Sequence, residues 1–343
     1  MKLLPVPAID RSREPALRAK LDGQAKPPGS LGRLEELAVR IALVQGTNQP
    51  RIGPVSLLIF AGDHGLTEEG VSAYPPAVTG AMVRTFLSGR ASANALARAV
   101  GVEIEVIDAG IAAELPPHPA LRVEPVRRGT RNAAREPALT ADEVADAIGR
   151  GAAAADRSVD AGADALAFGE MGIGNSASAA LLMHRLLPAP LRLCIGAGAG
   201  QDEAGMDRKR AALERAAARS AATDPLDVLA QFGGCEIAMM TGAFLGGAAR
   251  GRVILVDGFI ASAAALAAIR LRPEVSDYLV FAHRSAERGH ATLLAELGVE
   301  PLLDLGMRLG EGTGAILAVP LLRAAARLMS EVASLDGVLA GGL

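Results

Sequence analysis

Six short apolar runs punctuate the 343-residue chain, and each ends at or just before glycine, aspartate or histidine. They are VSLLIF (55–60) before AGDHG, VEIEVI (102–107) before DAGI, ADALAF (163–168) before GEMGIG, LRLCIG (191–196) before AGAG, RVILVD (252–257) before GF, and DYLVFA (277–282) before HRS. Between them lie Ala-rich segments with helical spacing, such as 77–100 and 141–162. Continuous apolar strands alternating with helices predict an α/β fold, a six-stranded parallel Rossmann-like sheet with helices on both faces. In such a sheet ligands bind beyond the carboxyl ends of the strands, where the unusual residues of this chain fall. Aromatic residues are scarce (seven Phe, two Tyr, no Trp), so the core has to be built from closely packed small and branched aliphatic side chains.

The two chain ends do not follow the strand–helix pattern. Residues 1–45 contain KPPGSLGRLEELAVRIALV, a Pro-Gly turn leading into an amphipathic helix, and residues 314–343 contain a second helical run. They are expected to pair as a small helical subdomain beside a large catalytic α/β domain spanning 46–313.

A formal net charge of −3, without a basic run, gives no footprint for nucleic acid. The N-terminus lacks the long apolar segment of a signal peptide, and GAILAVPLL is too short to span a bilayer, so the expectation is a cytoplasmic protein without a membrane partner. Two cysteines, Cys194 and Cys235, define neither a disulfide framework nor a metal site.

Several strand ends carry candidate chemistry. GEMGIGN (169–175) runs through two glycines into a helix whose free N–H groups and positive end suit an anion, although Asn175 or Ser176 capping that helix would explain part of the pattern. Lys209 is a candidate compensating charge, with a solvated helix lysine as the plain alternative. GAGAG (196–200) lacks the third glycine and the downstream acid of a dinucleotide fingerprint, which leaves Gly198 and Gly200 as a generic phosphate or ribose loop. Asp257 and Ser285 are candidate ribose-hydroxyl partners. Asp63 and His64 more often hold a turn than a metal, since no ligand spacing joins them to Asp108, His283 or His290, and no metal is expected. The strand RVILVD ends in one aspartate followed by glycine, not the acidic pair that holds magnesium pyrophosphate in ordinary phosphoribosyl-pyrophosphate enzymes. MRLGEGTGA (307–315) sets a lone carboxylate, Glu311, between glycines and beside Leu309. The glycines let the backbone bend sharply there and bring the carboxylate close to a group that needs the space glycine leaves.

Taken together, KPPGSLGRLE (26–35), GDHG with EGVSAYP (62–65, 69–75), RRGT-RNAA (127–134), GEMGIGN, GGCEIAMMTGA (233–243), VDGF, AHRSAERGH (282–290) and LGEGTGA (309–315) resemble the nicotinate-nucleotide:dimethylbenzimidazole phosphoribosyltransferase family, in order, over nearly the whole chain. The resemblance implies transfer of phosphoribose from nicotinate mononucleotide to 5,6-dimethylbenzimidazole with inversion, in a homodimer that uses no metal or organic cofactor. It implies Glu311 as the base, Glu170 as a second acid/base group near the ribose, Gly172, Gly174, Asn175 and Lys209 on the phosphate side, and Tyr74 and Leu309 as walls of the base pocket. Ala73 and Ala81 stand where many members have polar residues, which predicts tolerance for several aromatic bases. Ala197 and Ala199 replace polar residues in the glycine loop and predict an altered nucleotide contact. The rival readings are a nucleotide-dependent oxidoreductase and a non-catalytic ligand-binding relative.

Overall fold

The computed structural model describes residues 4–198 and 200–341, so Ala199 lies outside the described residues. Six parallel strands form one sheet: β1 (Val55–Gly62), β2 (Glu103–Gly110), β3 (Leu121–Val123), β4 (Ala165–Met171), β5 (Val253–Val256) and β6 (Leu279–Phe281), in the order β3-β2-β1-β4-β5-β6. The chain steps outward from β1 in one direction and then returns to build the other half from β4. The switch point between β1 and β4 opens a crevice at their carboxyl ends.

Five of the six apolar runs are strands. The fourth, LRLCIG, is not: Leu191–Cys194 is a single helical turn, and the sixth strand is Leu121–Val123. Pro188 and Pro190 precede the apolar run, and Pro190 has no N–H to give to a ladder. Strand β3 carried no hydrophobic signal because it is a three-residue edge strand whose Arg122 and Val123 are exposed.

Alternation along the strands assigns the two faces. Leu58, Phe60, Leu166 and Phe168 join one core with the helices Ala141–Asp160, Asn175–Leu186, Cys235–Ala249 and Phe259–Leu271. Phe60, Phe168 and Phe244 stack edge to face there, with centroids 6.0 and 4.8 Å apart. Leu57, Ile59, Ala165 and Ala167 face the other core, with Arg33–Val44, Ser92–Val100 and Thr313–Glu331. Both chain ends therefore share this second core: Ala25 N–H donates to Ala333 O, and Gln24 bridges Ser334. The Thr313–Glu331 helix also corrects one expectation, because by length and composition it is long and apolar enough to cross a membrane, although most of its apolar window is buried against the sheet.

Where aromatic side chains are few, backbones approach each other. A Cβ on Gly151 or Gly242 would overlap the Met239 or Ile148 carbonyl of the facing helix, and one on Gly246 would lie 2.8 Å from Ala152 Cα. These glycines let Ala141–Asp160 and Cys235–Ala249 pack backbone to backbone. Gly151→Ala is expected to destabilise the protein by about 3 kcal/mol through overpacking. An unchanged denaturant midpoint would show that the helices can separate freely.

Candidate active site

Loop 310–312 is the unusual backbone of the molecule. Gly310, Glu311 and Gly312 take φ values of 83°, 62° and 75°, and Glu311 is the one non-glycine residue with positive φ among the described residues. That conformation costs a side-chain-bearing residue about 1–2 kcal/mol. The loop lies across strand β4 because position 169 is glycine: a Cβ there would stand 2.5 Å from Gly312 N and 2.7 Å from Glu311 C. Beyond the loop, Asp257 at the end of β5 accepts the Gly314 and Ala315 N–H groups at 2.7 and 3.0 Å, tying the start of Thr313–Glu331 to the sheet. Asp257 is thus engaged in holding a helix N-terminus. It also faces His283 at 3.7 Å, and burial raises its pKa above the usual carboxylate range.

A cavity of about 140 Å³ opens beyond the carboxyl ends of β4, β5 and β6. Glu170, Gly172, Gly174, Asn175, Gly198, Asp257, Ser285 and Leu309 line it, so the strand-end candidates do converge. Tyr74 is half exposed and is not part of that lining, and Ala73 and Ala81 are likewise exposed and outside it. Gly200 and Glu311 also lie outside the lining. Gly310 stands between Glu311 and the cavity, with no room for a Cβ beside Glu170 Oε1. The buried Glu311 carboxyl is turned toward the start of Ser92–Val100, and its Oε2 has no hydrogen-bond partner. Burial raises its pKa, the Ala93 N–H opposes the rise, and the Asp257 charge adds to it.

Glu170 is buried beside the cavity, and its pKa is pushed up to about 8. Burial is the main cause; the Asn175 amide, which donates to Glu170 Oε2, works against it, while the Asp257, Glu236 and Glu311 carboxylates reinforce it. Asn175 therefore does not cap its helix, and neither does Ser176. The N-cap is Gly174 at φ 94°, without a side-chain cap bond; Asn175 N–H donates to Gly172 O and Ala177 N–H to Gly174 O, and no side chain among the described residues covers the positive end of Asn175–Leu186. Lys209 is fully buried, not solvated, and donates to Ser176 Oγ at 3.0 Å and Gly196 O at 2.9 Å. Burial lowers its pKa to about 8, against the pull of Glu287.

Two groups of residues escaped the sequence reading as partners. His64 bridges Glu236 (2.7 Å) and Ser178 (3.0 Å), clamping the Asn175–Leu186 and Cys235–Ala249 helices to the end of β1. Burial disfavours charge on His64, yet Glu236 and Asp63 raise its pKa on balance. Ser176 and Glu287 complete the corner around Lys209 and Gly198, and the motif AHRSAERGH already contained Glu287. Asp63 accepts Ala112 N–H, and Asp108 accepts Gly110 and Ile111 N–H, so both hold turns. His64 is committed to Glu236 while His283 stacks near His290, so the histidines do not converge on one metal position.

The family model described as phosphoribosyltransferase matches residues 6–338. A nicotinate-nucleotide–dimethylbenzimidazole phosphoribosyltransferase from Cupriavidus taiwanensis is 50% identical over 338 residues, covering 98% of both chains. The enzyme of the same name from Deinococcus radiodurans is 49% identical over 341 residues, covering 98% of this chain and 93% of its own. The crystal structure of CobT from Thermus thermophilus superposes with a TM-score of 0.93 at 44% identity, covering 95% of this chain and 98% of that one.

The raised pKa of Glu170 has a signed consequence. The unfolded carboxyl ionises near 4.5 and the folded one near 8, so between those values ionisation favours unfolding. The handicap is absent below pH 4.5 and complete above about pH 8. Glu170→Gln should match the wild type at low pH and become more stable than it as pH rises through that window, by a few kcal/mol at most. A pH-independent difference in urea midpoint would show that residue 170 does not titrate there.

Proposed function

Because the chain belongs to the nicotinate-nucleotide–dimethylbenzimidazole phosphoribosyltransferase family, we propose that Glu311 is the base that completes its reaction. The enzyme transfers the phosphoribosyl group of nicotinate mononucleotide to 5,6-dimethylbenzimidazole, giving α-ribazole 5′-phosphate and nicotinate. The observation that carries the Glu311 assignment is a buried carboxylate oxygen without a partner, on a residue held in a strained backbone conformation. An uncompensated carboxylate is retained at a stability cost, and taking a proton from an aromatic N–H relieves it.

In the proposed single displacement, one benzimidazole nitrogen attacks C1′ as the C1′–N bond to nicotinate breaks. The bonding pair goes to the pyridinium nitrogen, which leaves neutral and needs neither proton nor metal. The second benzimidazole nitrogen gives its proton to Glu311. Attack opposite the leaving group inverts β to α, and holding the two rings in line is the larger part of the catalysis. Glu170 sits at the ribose side of the cavity in this reading. A cationic pyridinium lowers its pKa on binding, so that a carboxylate faces the positive charge developing at C1′. Gly172, Gly174, Asn175, Gly198, Gly200 and Lys209 hold the phosphate side, and Ser285 and Asp257 border the ribose. Leu309, which lines the cavity, and Tyr74 flank the base in this reading. The family relationship supports a homodimer that works in the cytoplasm.

The reaction is tested by incubating purified protein with nicotinate mononucleotide and a panel of aromatic bases, following nicotinate release and the anomeric form of the product. Glu311→Gln should keep the fold and melt no lower than the wild type while kcat falls roughly a hundredfold or more. Near-normal kcat in a folded variant would remove Glu311 from the base role. With Ala73 and Ala81 offering no polar side chains to a base, several benzimidazoles should be accepted at comparable kcat/KM; strict preference for dimethylbenzimidazole in a competition assay would contradict that.

A further inference from the structure

The glycine loop that follows Ile195 faces an acid. Glu287 precedes the Arg288–Glu296 helix as its N-cap, yet its carboxylate makes no cap bond to that helix. It turns into the cavity instead, where both oxygens accept the Gly198 N–H at 3.1 Å. Its backbone is fixed by a bond from Glu287 N to Ser285 Oγ at 3.2 Å, and Gly196 leaves no room for a Cβ against the carboxylate. A carboxylate offers about four lone-pair positions, and sharing a single amide between its two oxygens leaves most of that capacity unused.

The same corner is built for an anion. A Cβ on Gly198 would lie 2.7 Å from Ser176 Oγ and 3.4 Å from Lys209 Nζ, so an amide, a hydroxyl and an ammonium surround one small volume. The uncapped first turn of Asn175–Leu186 adds its positive end. Lys209 spends two of its three N–H donors on neutral oxygens. The acid that faces this set of donors is Glu287.

We propose that the Glu287 carboxylate is a placeholder for the substrate's phosphate, holding the Gly198 amide while the site is empty and giving way when a nucleotide 5′-phosphate arrives. The inference rests on the phosphoribosyl reading above and adds a specificity-determining residue to it. A phosphate dianion and a carboxylate cannot share the one amide, so binding either displaces Glu287 or meets its repulsion. The same competition acts on the product, whose phosphate Glu287 displaces in turn. Glu287 thereby weakens binding of both nucleotides without touching the reacting atoms, and keeps phosphate affinity from slowing release. A permanent latch, with Glu287 tying the loop in place to receive the nucleotide, predicts unchanged or weaker phosphate binding when its charge is removed.

Glu287→Gln keeps the shape and one acceptor oxygen for Gly198 but removes the charge. In phosphate-free buffer, calorimetry on the full chain should show inorganic phosphate and nicotinate mononucleotide binding about fivefold tighter than to the wild type, with nicotinate riboside, which lacks the phosphate, unchanged. KM for nicotinate mononucleotide should fall in parallel. Glu287→Asp, which withdraws the carboxylate by one methylene, should move both affinities in the same direction and covers the case in which the glutamine variant does not fold. Unchanged or weaker phosphate binding in the folded variants, or an equal gain for the riboside, overturns the placeholder. Absence of nicotinate release by the wild type would instead overturn the phosphoribosyl reading, and the inorganic phosphate titration still reports on Glu287 in that event.

Discussion

The backbone of strand β4 and the backbone of loop 310–312 touch where Gly169 has no side chain. A methyl group at that point would lift the loop from the sheet, and Glu170 and Glu311 would lose their present relation on either side of Gly310. The Asp257 carboxylate secures the contact from the far side by holding the first N–H groups of the helix that follows. Sheet, loop and the Thr313–Glu331 helix are thus joined at one place, and the two glutamates inherit their positions from that junction. Glu311 occupies a left-handed conformation that glycine adopts freely, so the local backbone is less comfortable than an ordinary turn.

Charge is distributed unevenly about the cavity. Glu170, Glu236, Asp257 and Glu311 are all buried at the strand ends, and their mutual repulsion, added to desolvation, raises Glu170 to about 8. Lys209, Ser176 and the open start of Asn175–Leu186 gather at the other side. A nicotinate mononucleotide has matching poles, a cationic ring at one end and an anionic phosphate at the other. The arrangement favours one orientation of that molecule and opposes its reverse.

Much of this was legible in the residue string. Five strands announced themselves as continuous apolar runs because both faces of the sheet are covered. The glycines flanking Glu170 and Glu311 marked where backbones come close. LRLCIG misled because periodicity cannot separate a short buried strand from a helical turn, and the prolines ahead of it were the better guide. Strand β3 was silent because an exposed edge of three residues needs no apolar run. Within the site, residue types were readable but their partners were not. Asn175 looked like a helix cap and holds Glu170 instead, while Asp257, a candidate ribose-hydroxyl partner, also holds the start of a helix. Lys209 stood in a polar helix sequence, MDRKRAALERA, and only the fold shows that it is wholly enclosed. The pairings of Asp257 with Gly314 and of Lys209 with Ser176 join residues tens of positions apart and depend on the crossovers that bring them together.

The glycine contact between the Ala141–Asp160 and Cys235–Ala249 helices bears on how sequences of this kind diverge. At Gly151 and Gly242 the facing group is a carbonyl of the other chain segment, which cannot shrink by mutation. Enlarging either residue requires the helix axes to part, and that shift would be felt at Glu236 and so at His64. Gly246 meets Ala152 Cα, where even alanine has little space to yield. Substitutions along this seam therefore have no neutral single steps. Drift in the pair must proceed through concerted replacements or be diverted to the solvent-facing sides of both helices.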